Sequence, residues 1–451
     1  MTALTCFKAY DIRGRIPTEL NETLAYQIGQ AYAAFVKPKN VAVGRDIRAT
    51  SQTLSAALIR GLNDTGVNVS DIGLCGTEGV YFATFSEGLD GGIMVTASHN
   101  PPDYNGMKFV RAGSRPISAD TGLMDMRALI EGARLPPRAT HPGAARPLDM
   151  NRKYLEHLLG YVKGAKLRRL KVVVNAGNGG AGLVVDQLEP HLPFEFIKVH
   201  HNPDSSFPNG VPNPMIEANR NSTIEAMRHS GADIGLAWDG DFDRCFFFDE
   251  HGGFVEGYYL VGLLAEAFLK RFPASRIVHD PRLTWNTIEI VKRFGGEAVM
   301  CRSGHAFIKQ RMREVDAVYG GEMSAHHYFR EFSYCDSGMI PWLLVLAVMC
   351  DTGKTLGELV GARQRLFPVS GEINREIADA SAAMARVQSQ YADAAVAVDF
   401  TDGLSMEFEQ WRLNLRGSNT EPLVRLNVES RGNEALMRER TAEVLQLMAN
   451  A

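Results

Sequence analysis

The chain has 451 residues, which at about 150 residues per domain predicts roughly three domains. Its 48 Lys and Arg against 52 Asp and Glu give a net charge of −4, which excludes a nucleic-acid-binding protein built on a general basic surface. An apolar fraction of 45% and a charged fraction of 22% are typical of a globular protein and exclude a disordered or fibrous chain.

The six cysteines are scattered without any C-x-x-C pair, so they form neither a disulfide framework nor a zinc site. The N-terminus reaches Lys8 before an apolar run develops, and this predicts that no signal peptide is present. The longest apolar stretch, 339–350, contains a proline and is shorter than the roughly 18 residues of a membrane helix. We therefore expect a cytoplasmic protein without membrane contact, and no obligate protein partner is evident.

Three short β-branched runs, at 41–46, 171–176 and 276–280, each end in a polar loop before a helical segment, which is typical of strand–helix units. We predict further elements in chain order as follows: a helix at 52–66, a strand at 92–95, a loop at 96–105, a Pro-rich linker at 135–147, a helix at 151–162, strands at 233–238, 245–249 and 316–319, a helix at 356–365, a strand at 423–428 and a helix from 433 onward.

These elements predict three α/β domains of similar plan and a smaller α+β unit at the C-terminus. The predicted bounds are 1–146, 147–252, 253–367 and 368–451. The glycines of 177–182 match the dinucleotide-binding pattern G-x-G-x-x-G, but the acidic residue that should close the next strand is replaced by histidines at 200–201. We interpret these glycines as allowing a helix to pack close to its strand.

A serine loop, Thr96-Ala-Ser-His-Asn-Pro101, directly follows the strand predicted at 92–95. Ligand sites of α/β proteins lie at the carboxyl ends of parallel strands, so Ser98 is a candidate functional residue, although an ordinary polar turn explains the segment equally well. The G-x-S-x-G elbow is absent and His99 is the adjacent residue, which argues against a hydrolase triad.

An acidic loop places Asp239, Asp241 and Asp243 at alternate positions after a strand-like run. Like charges this close repel one another unless a cation is bound. An EF-hand calcium loop is the alternative, because Glu250 also falls at its twelfth position, but Arg244 replaces the glycine of its sixth position and the flanks are strand-like. We predict a Mg²⁺ site.

A third segment contains Glu322 and Ser324, which share a face if the chain is extended there. That arrangement suits two neighbouring sugar hydroxyls, with a satisfied polar turn as the alternative. The adjacent histidines at 326–327 lack a third metal ligand at suitable spacing, so we do not predict a zinc site.

The fourth segment is a candidate phosphate loop before the strand predicted at 423–428. A guanidinium, two hydroxyls and an amide form a compact cradle for a dianion, and a capped loop is the alternative. The residues are Arg416, Ser418, Asn419 and Thr420, with Arg425 adding charge.

The four loops occur in this order, one in each predicted domain. Together with Lys8-Ala-Tyr-Asp-Ile-Arg-Gly14 they make the chain resemble the α-D-phosphohexomutase superfamily, and within it the bacterial phosphomannomutase/phosphoglucomutase branch, over essentially its whole length. The resemblance implies three related mixed-sheet α/β domains and a C-terminal α+β domain similar to the TATA-box-binding protein, arranged around a central cleft.

The resemblance also implies an activity. It identifies Ser98 as a phosphoserine beside Mg²⁺, which is held by that serine and the three aspartates of the acidic loop. The enzyme would interconvert the 6- and 1-phosphates of mannose and glucose through a hexose 1,6-bisphosphate that reorients in the cleft. We expect it to accept both sugars, because Glu322 and Ser324 meet hydroxyls that the two share.

Further site residues follow from the resemblance alone. Those near the phosphoserine are Tyr10, Arg13 and His99; those expected to be charges or proton carriers are Lys108, Arg244 and His305; a further substrate ligand is Arg282. Lys108 or His99 is the candidate for handling the hydroxyl proton, and Arg244 has an alternative role in tying the acidic loop together. The remaining alternatives are a phosphoglucosamine mutase of the same superfamily and a catalytically silent protein that binds sugar phosphate or calcium.

Overall fold

The structure is a computed structural model that describes residues 4–377, 379–417 and 423–449. The chain divides into two compact units. Unit 1 comprises the chain up to Phe254 together with Glu331–Gly353, and unit 2 comprises Val255–Arg330 together with the chain from Lys354 onward.

The strands are, in chain order, β1 (Ile12–Arg15), β2 (Asn40–Arg45), β3 (Asn68–Leu74), β4 (Gly91–Val95), β5 (Tyr104–Arg111), β6 (Arg115–Ile117), β7 (Ala145–Pro147), β8 (Lys171–Asn175), β9 (Glu195–Val199), β10 (Ile234–Trp238), β11 (Cys245–Phe248), β12 (Phe254–Val255), β13 (Arg276–His279), β14 (Glu297–Met300), β15 (Tyr319–Gly321), β16 (His327–Phe329), β17 (Cys335–Asp336), β18 (Ile373–Glu376), β19 (Ala397–Asp399), β20 (Leu404–Glu407), β21 (Trp411–Gly417) and β22 (Leu423–Ser430).

The α-helices are α1 (Glu22–Val36), α2 (Ser51–Asp64), α3 (Thr77–Ser86), α4 (Leu123–Glu131), α5 (Asn151–Gly160), α6 (Ala181–Leu188), α7 (Asn221–Ser230), α8 (Gly257–Arg271), α9 (Trp285–Arg293), α10 (His305–Val315), α11 (Ile340–Thr352), α12 (Leu356–Leu366), α13 (Ala380–Tyr391) and α14 (Glu434–Ala449). None of the helices in the described part of the chain is long and apolar enough to cross a membrane.

Unit 1 contains two mixed sheets. The first has the order β1-β5-β4-β2-β3-β7 with β6 beside β5, and its parallel pairs β4-β2, β2-β3 and β3-β7 adjoin antiparallel pairs at β5. In the second, β9, β8 and β10 run parallel and β11 is antiparallel to β10. Helices follow β2, β3, β7 and β8, whereas β4 and β10 lead directly into the antiparallel strands β5 and β11. Because the carboxyl ends of parallel strands lie on the same side, the polar loops that leave these strands emerge at one edge of each sheet.

Unit 2 also contains two sheets: one is a mixed sheet like the second sheet of unit 1, and the other is antiparallel. In its first sheet β14, β13 and β15 run parallel and β16 is antiparallel to β15. Its second sheet, β18-β22-β21-β20-β19, is antiparallel throughout, and α13 and α14 pack their buried side chains against its core. The predicted fold class, three mixed-sheet α/β domains and an α+β C-terminal domain, is confirmed.

Two predicted elements need correction. The linker predicted at 135–147 ends in strand β7, which pairs with β3 and forms the edge of the sheet. All residues of β7 are exposed, so the strand carries no hydrophobic alternation that a sequence pattern reveals. The strand predicted at 316–319 begins at Tyr319, because Asp316 ends α10 in the left-handed region with φ of 48°.

The glycine-rich segment 177–182 has the packing role expected of it, but its close contacts are with neighbouring loops and not with the strand that precedes the helix. A Cβ added at Gly182, in the first turn of α6, would lie 2.2 Å from the backbone oxygen of His201. A Cβ at Gly180 would lie 2.9 Å from the ring of Phe242. Glycine therefore allows the N-terminus of α6 to approach the neighbouring loops, which is a packing role.

Glu78 links helix α3 to the N-terminus of α11 within unit 1. Its Oε2 accepts hydrogen bonds from the backbone N–H groups of Gly338 (2.7 Å) and Met339 (3.3 Å), and the side chain is fully buried. Burial raises the pKa of Glu78 to about 8, against the hydrogen bonds from Ser337 and these two N–H groups, and the nearby Asp336 raises it further. The folded protein therefore holds the proton of Glu78 at a pH where an exposed glutamate has lost it.

We predict that this buried carboxyl makes stability fall as the pH rises. Between pH about 4.5 and about 8 the unfolded chain binds fewer protons at Glu78 than the folded chain, so the free energy of unfolding falls by up to about 1.4 kcal/mol per pH unit. Glu78→Gln removes this titration. From about pH 5.5 to about pH 8.5 the wild type should lose Tm relative to Glu78→Gln, because only the wild type titrates at residue 78. The difference in Tm, variant minus wild type, should therefore increase by on the order of 5 °C over this range. Glu87→Gln, at the C-cap of α3 in a surface ion pair with Lys153, is the control, and a Glu78→Gln profile parallel to the wild type contradicts the prediction.

Candidate active site

Ser98 lies in the loop that follows β4, and it is buried. Its Oγ donates a hydrogen bond to Asp239 Oδ2 at 3.1 Å and lies 3.1 Å from His99 Nδ1. Its backbone is left-handed, with φ of 50°, and its N–H donates to Thr96 Oγ1 at 2.9 Å. A non-glycine residue in this conformation needs support from its surroundings.

That support comes from Arg48, a residue that the sequence analysis did not identify. Its buried guanidinium donates hydrogen bonds to four carbonyl oxygens of the serine loop: Ser98 (2.9 Å), Asn100 (2.5 Å), Pro101 (2.7 Å) and Tyr104 (2.9 Å). One planar group with five N–H donors therefore fixes the path of the whole loop.

The sequence does contain a signal for Arg48. It follows β2 closely, in a charged segment that also holds Asp46, its ion-pair partner at 3.5 Å. β2 pairs in parallel with β4, so the loops after the two strands are neighbours. The pairing order of the strands was needed to connect them, and sequence patterns do not supply that order.

We predict that Arg48→Lys disturbs the serine loop. Lysine retains the positive charge but has neither the planar fork nor the reach to donate to all four carbonyls, so buried carbonyl oxygens lose their partners. The free energy of unfolding should fall by about 2–4 kcal/mol, and amide hydrogen exchange should accelerate in residues 97–104. Arg45→Lys, which weakens a partly exposed ion pair with Asp71, is the matched control and should cost under about 1 kcal/mol. Equal effects of the two substitutions would refute this role.

The acidic loop follows β10 and brings its three carboxylates together. Asp239, Asp241 and Asp243 are all buried, and one oxygen from each lies within 4.8 Å of the others. A Cβ added at Gly240 would lie 2.4 Å from the backbone oxygen of Ser98, so glycine is required for the close approach of the acidic loop to the serine loop.

Two cations partly neutralise this cluster. Lys108, on β5, places Nζ 2.7 Å from Asp241 Oδ2 and 2.6 Å from Asp243 Oδ2. Arg244 donates from Nε to Asp239 Oδ2 at 2.9 Å and from NH2 to His99 Nδ1 at 2.8 Å. Arg244 therefore makes the contacts expected of a residue that ties the acidic loop together.

The electrostatics of the cluster separate the two candidates for proton handling. Burial lowers the pKa of Lys108, but Asp241 and Asp243 outweigh it and raise the pKa well above its usual range. Burial, assisted by Arg244, lowers the pKa of His99 well below its usual range. Lys108 is thus a fixed positive charge, and His99 is neutral with Nδ1 accepting a hydrogen bond.

The acidic loop fits a divalent cation. Burial raises the pKa of Asp239 to about 6, whereas Lys108 outweighs burial at Asp241 and lowers its pKa. Asp241 Oδ1 is buried and has no hydrogen-bond partner among the described residues. Three buried carboxylate oxygens suit Mg²⁺, which prefers hard oxygen ligands. Because residues 245–248 form strand β11, the segment does not have the continuous loop of an EF-hand.

We predict that Mg²⁺ raises the Tm of the wild-type protein, because a ligand that binds only the folded state stabilises it. Asp241→Asn removes one charge from the cluster and should abolish most of this increase, measured in paired melts with MgCl₂ and with EDTA. Asp125→Asn, an exposed position on α4, should leave the increase intact. An equal increase in Asp241→Asn would contradict metal binding by the acidic loop.

Of the two N-terminal candidates, Arg13 contacts the serine loop. Arg13, on β1, pairs with Asp11 at 2.9 Å and donates from NH1 to Asn100 Oδ1 at 2.5 Å. Tyr10 is half-buried in the turn before β1. In unit 1 the structure thus gathers the candidates Arg13, Ser98, His99, Lys108, Arg244 and the three aspartates of the acidic loop.

In unit 2, Glu322 and Ser324 lie in the turn between β15 and β16. The chain is not extended there, because the N–H of Ala325 donates to the carbonyl of Glu322 (3.1 Å) and Ala325 has φ of 70°. The condition under which Glu322 and Ser324 would share a strand face is therefore not met. The Glu322 carboxylate accepts from Gly304 N–H (2.8 Å) and the Tyr328 hydroxyl (2.6 Å), and both bonds fix its orientation.

Arginines connect this turn with the candidate phosphate loop. Arg282 donates to Ser324 Oγ at 3.2 Å and lies 3.6 Å from Glu322 Oε1. It also donates to Glu372 Oε2 at 3.3 Å, and the same oxygen accepts from Arg416 NH2 at 3.3 Å. Glu372 was not identified from the sequence, and only the folded structure shows its position among these arginines.

The remaining candidates are placed as follows. Arg425, on β22, lies 3.5 Å from Glu372 Oε1. His305 is the first residue of α10, next to Gly304, and its Nδ1 lies 3.4 Å from Lys309 Nζ. The three other predicted ligands of the phosphate loop fall outside the described residues: Ser418, Asn419 and Thr420.

Comparisons with known proteins agree along the chain. Family models match at 5–127, 152–253 and 256–367, described as phosphoglucomutase/phosphomannomutase alpha/beta/alpha domains I, II and III, and at 372–447, described as the C-terminal domain. A phosphomannomutase of Salmonella typhimurium is 59% identical, and phosphohexose mutases of Xanthomonas campestris are 58% identical; the alignments cover 99% of this chain and at least 99% of the relatives.

A solved structure shows the same fold. The phosphoglucomutase/phosphomannomutase family protein of Burkholderia thailandensis superimposes with a TM-score of 0.89 at 32% sequence identity. The superposition covers 99% of this chain and 97% of that one. The similarity therefore extends over both units and is not confined to one domain.

Proposed function

This chain belongs to the phosphoglucomutase/phosphomannomutase family, and from that premise we propose that it interconverts the 6- and 1-phosphates of mannose and glucose through a phosphorylated Ser98. It is an enzyme, an intramolecular phosphotransferase of the isomerase class. The observation that carries the proposal is the hydrogen bond from the buried Ser98 hydroxyl to Asp239, within a cluster of three carboxylates and two fixed cations.

The site suits phosphoryl transfer better than direct attack by serine. A serine hydroxyl is a weak nucleophile unless a base activates it, whereas a phosphoserine already carries the group to be transferred. Transfer then depends on holding the phosphoryl group in position and balancing its charge. Lys108 and Arg244 provide fixed positive charge beside Ser98, and Arg48 holds the backbone that carries it.

The reaction consists of two transfers. In the first, the bond between phosphorus and Ser98 Oγ breaks and a bond from phosphorus to the free sugar hydroxyl oxygen forms; that hydroxyl loses its proton and Ser98 Oγ gains one, so that serine is left as a free hydroxyl. The product is a hexose 1,6-bisphosphate. After the sugar turns around, its other phosphate returns to Ser98 by the reverse step. Ser98 and the three aspartates of the acidic loop would hold Mg²⁺, which would neutralise charge on the phosphoryl group.

The turn-around requires a binding site that accepts the sugar in either direction. Glu322 and Ser324 are suited to the 3- and 4-hydroxyls, since each Glu322 oxygen keeps an acceptor position beyond its bond to Gly304 or Tyr328. Mannose and glucose share these hydroxyls and differ at the 2-hydroxyl. Arg416 and Arg425, with the loop residues between them, would hold whichever phosphate is not reacting.

We assign the remaining candidates by their unit. The candidates that belong to unit 1, with the phosphoserine, are Tyr10, Arg13 and His99; those that belong to unit 2, with the sugar-binding residues, are Arg282 and His305. In unit 1, His99 Nδ1 lies 3.1 Å from Ser98 Oγ and accepts a hydrogen bond from Arg244 NH2 at 2.8 Å. Because its pKa is well below the usual range, His99 acts beside Ser98 as a neutral hydrogen-bonding group that orients Arg244 and not as a base. In unit 2, Arg282 fixes Ser324 and lies close to Glu322.

We predict that Ser98→Ala abolishes isomerisation of both mannose and glucose phosphates, with a loss of at least about 1,000-fold in kcat/KM, because the phosphoryl donor is gone. Intact-mass measurement of the wild type should show an added phosphoryl group of about 80 Da that disappears on incubation with substrate. Ser206→Ala, on the surface, is the control and should retain both turnover and the added mass. Full turnover by Ser98→Ala would overturn the assignment.

Substrate class is decided by the same assay. The proposal expects turnover of mannose and glucose phosphates with kcat/KM values within about tenfold of each other, because the residues assigned to sugar binding meet shared hydroxyls. Glucosamine phosphate run in parallel should be a poorer substrate. Preferred turnover of glucosamine phosphate would assign the chain to a phosphoglucosamine mutase instead.

A further inference from the structure

Glu372 sits at the centre of the arginines assigned to phosphate binding. It directly precedes β18 and its side chain is only 8% exposed. Its Oε2 accepts from Arg282 NH1 and Arg416 NH2, each at 3.3 Å, and its Oε1 lies 3.5 Å from Arg425 NH1. One carboxylate therefore contacts three guanidinium groups.

This carboxylate is ionised. Burial by itself raises the pKa of Glu372, but Arg282, Arg416 and Arg425 outweigh burial and hold the pKa below its usual range. Glu372 therefore faces the arginines as an anion at neutral pH. A carboxylate and a phosphate use the same guanidinium N–H donors, so both are ligands for the same site.

The arginines are already neutralised by carboxylates. Arg282 also pairs with Asp280 and lies 3.6 Å from Glu322, and Arg416 lies 3.7 Å from Asp402. With Glu372, three positive charges face four negative ones. A phosphate dianion adds two negative charges, so the carboxylates repel it, and its binding becomes more favourable if a carboxylate gives up its contacts.

Glu372 is the carboxylate in the position to do so. It contacts both Arg416 and Arg425, whereas Asp280 contacts Arg282 and Asp402 contacts Arg416. Arg416 Nε is buried without a hydrogen-bond partner among the described residues, so this guanidinium has donor capacity that Glu372 does not use. The Glu372 carboxylate therefore occupies the arginines as an anion, and Arg416 Nε remains available to donate a hydrogen bond to a phosphate.

We propose that Glu372 is a positioning residue that competes with the substrate phosphate for Arg416 and Arg425. When no phosphate is bound, the ion pairs with Glu372 keep the two guanidinium groups in place. When phosphate binds, it replaces Glu372 at these groups, and Glu372 forms its ion pairs again as the phosphate leaves. This inference rests on the proposed function, because a bisphosphate that must turn around has to be released from these arginines in every catalytic cycle. Glu372 weakens phosphate binding and thereby shortens the time that the phosphate stays bound.

The test measures binding of inorganic phosphate, which needs no turnover. Glu372→Gln is close in shape to glutamate but removes the competing charge, so phosphate should bind about tenfold or more tightly, measured by calorimetry at fixed ionic strength. Glu372→Asp retains the charge and should stay much closer to the wild type. Glu376→Gln, an exposed position on β18, is the matched control and should leave the affinity unchanged.

A purely structural role gives the opposite order. Glutamine would then be tolerated and aspartate would disturb the arginines, so phosphate affinity in Glu372→Gln equal to or weaker than in the wild type overturns the proposal. In steady-state assays the proposal expects Glu372→Gln to lower KM and kcat together, because release slows. A loss of kcat with a raised KM contradicts it.

Crystals of the wild-type protein grown with and without inorganic phosphate provide a test that does not depend on a folded variant. With phosphate bound, Glu372 Oε2 should move beyond ion-pair distance of Arg416 NH2, and an unmoved ion pair overturns the proposal. The outcome is separable from that of the proposed function. If Ser98→Ala abolishes mutase activity but Glu372→Gln leaves phosphate affinity unchanged, only the inference about Glu372 fails.

Discussion

The ion pairs between Lys108 and the buried carboxylates of Asp241 and Asp243 are the constraint on which the unit 1 site depends. Three carboxylates within a few ångströms cannot remain buried and charged without cations, because desolvation and mutual repulsion oppose both ionisation and folding. Lys108 supplies one cation from the neighbouring sheet and Arg244 supplies another from the acidic loop itself. The partial neutralisation leaves room for a divalent cation, which is what a phosphoryl-transfer site needs.

The sheets place these groups at one location. β4 and β10 are parallel-sheet strands in the two sheets of unit 1, and their carboxyl ends carry the serine loop and the acidic loop. Gly240 allows the backbones of the two loops to approach, and the hydrogen bond from Ser98 to Asp239 joins them. The loop that carries the left-handed Ser98 accepts four hydrogen bonds from the buried Arg48, one of them at the Ser98 carbonyl, so Arg48 supports the site together with the strands.

Ion pairs also orient the charged side chains of unit 2, where the groups proposed to bind ligand are arginines instead of carboxylates. There, buried arginines are held by carboxylates in the way that the buried aspartates of unit 1 are held by cations. In both units the groups assigned to binding are already oriented by partners of opposite charge. A ligand then exchanges one set of ion pairs for another, which limits the net affinity and favours turnover over tight binding.

The sequence by itself determined the alternation of strands and helices, the order of the four polar loops, and the residue types that each loop presents. These features are local, because short apolar runs, turn residues and clusters of like charge each occupy consecutive or nearly consecutive residues. Only the tertiary structure decided that Arg48 supports the serine loop, that Lys108 neutralises Asp241, and that Glu372 lies among the arginines. It also decided that β7 forms the edge strand of the first sheet and that Glu322 lies in a turn. The physical reason is that these contacts join residues far apart in the chain, so strand pairing and burial place the partner of each charged group.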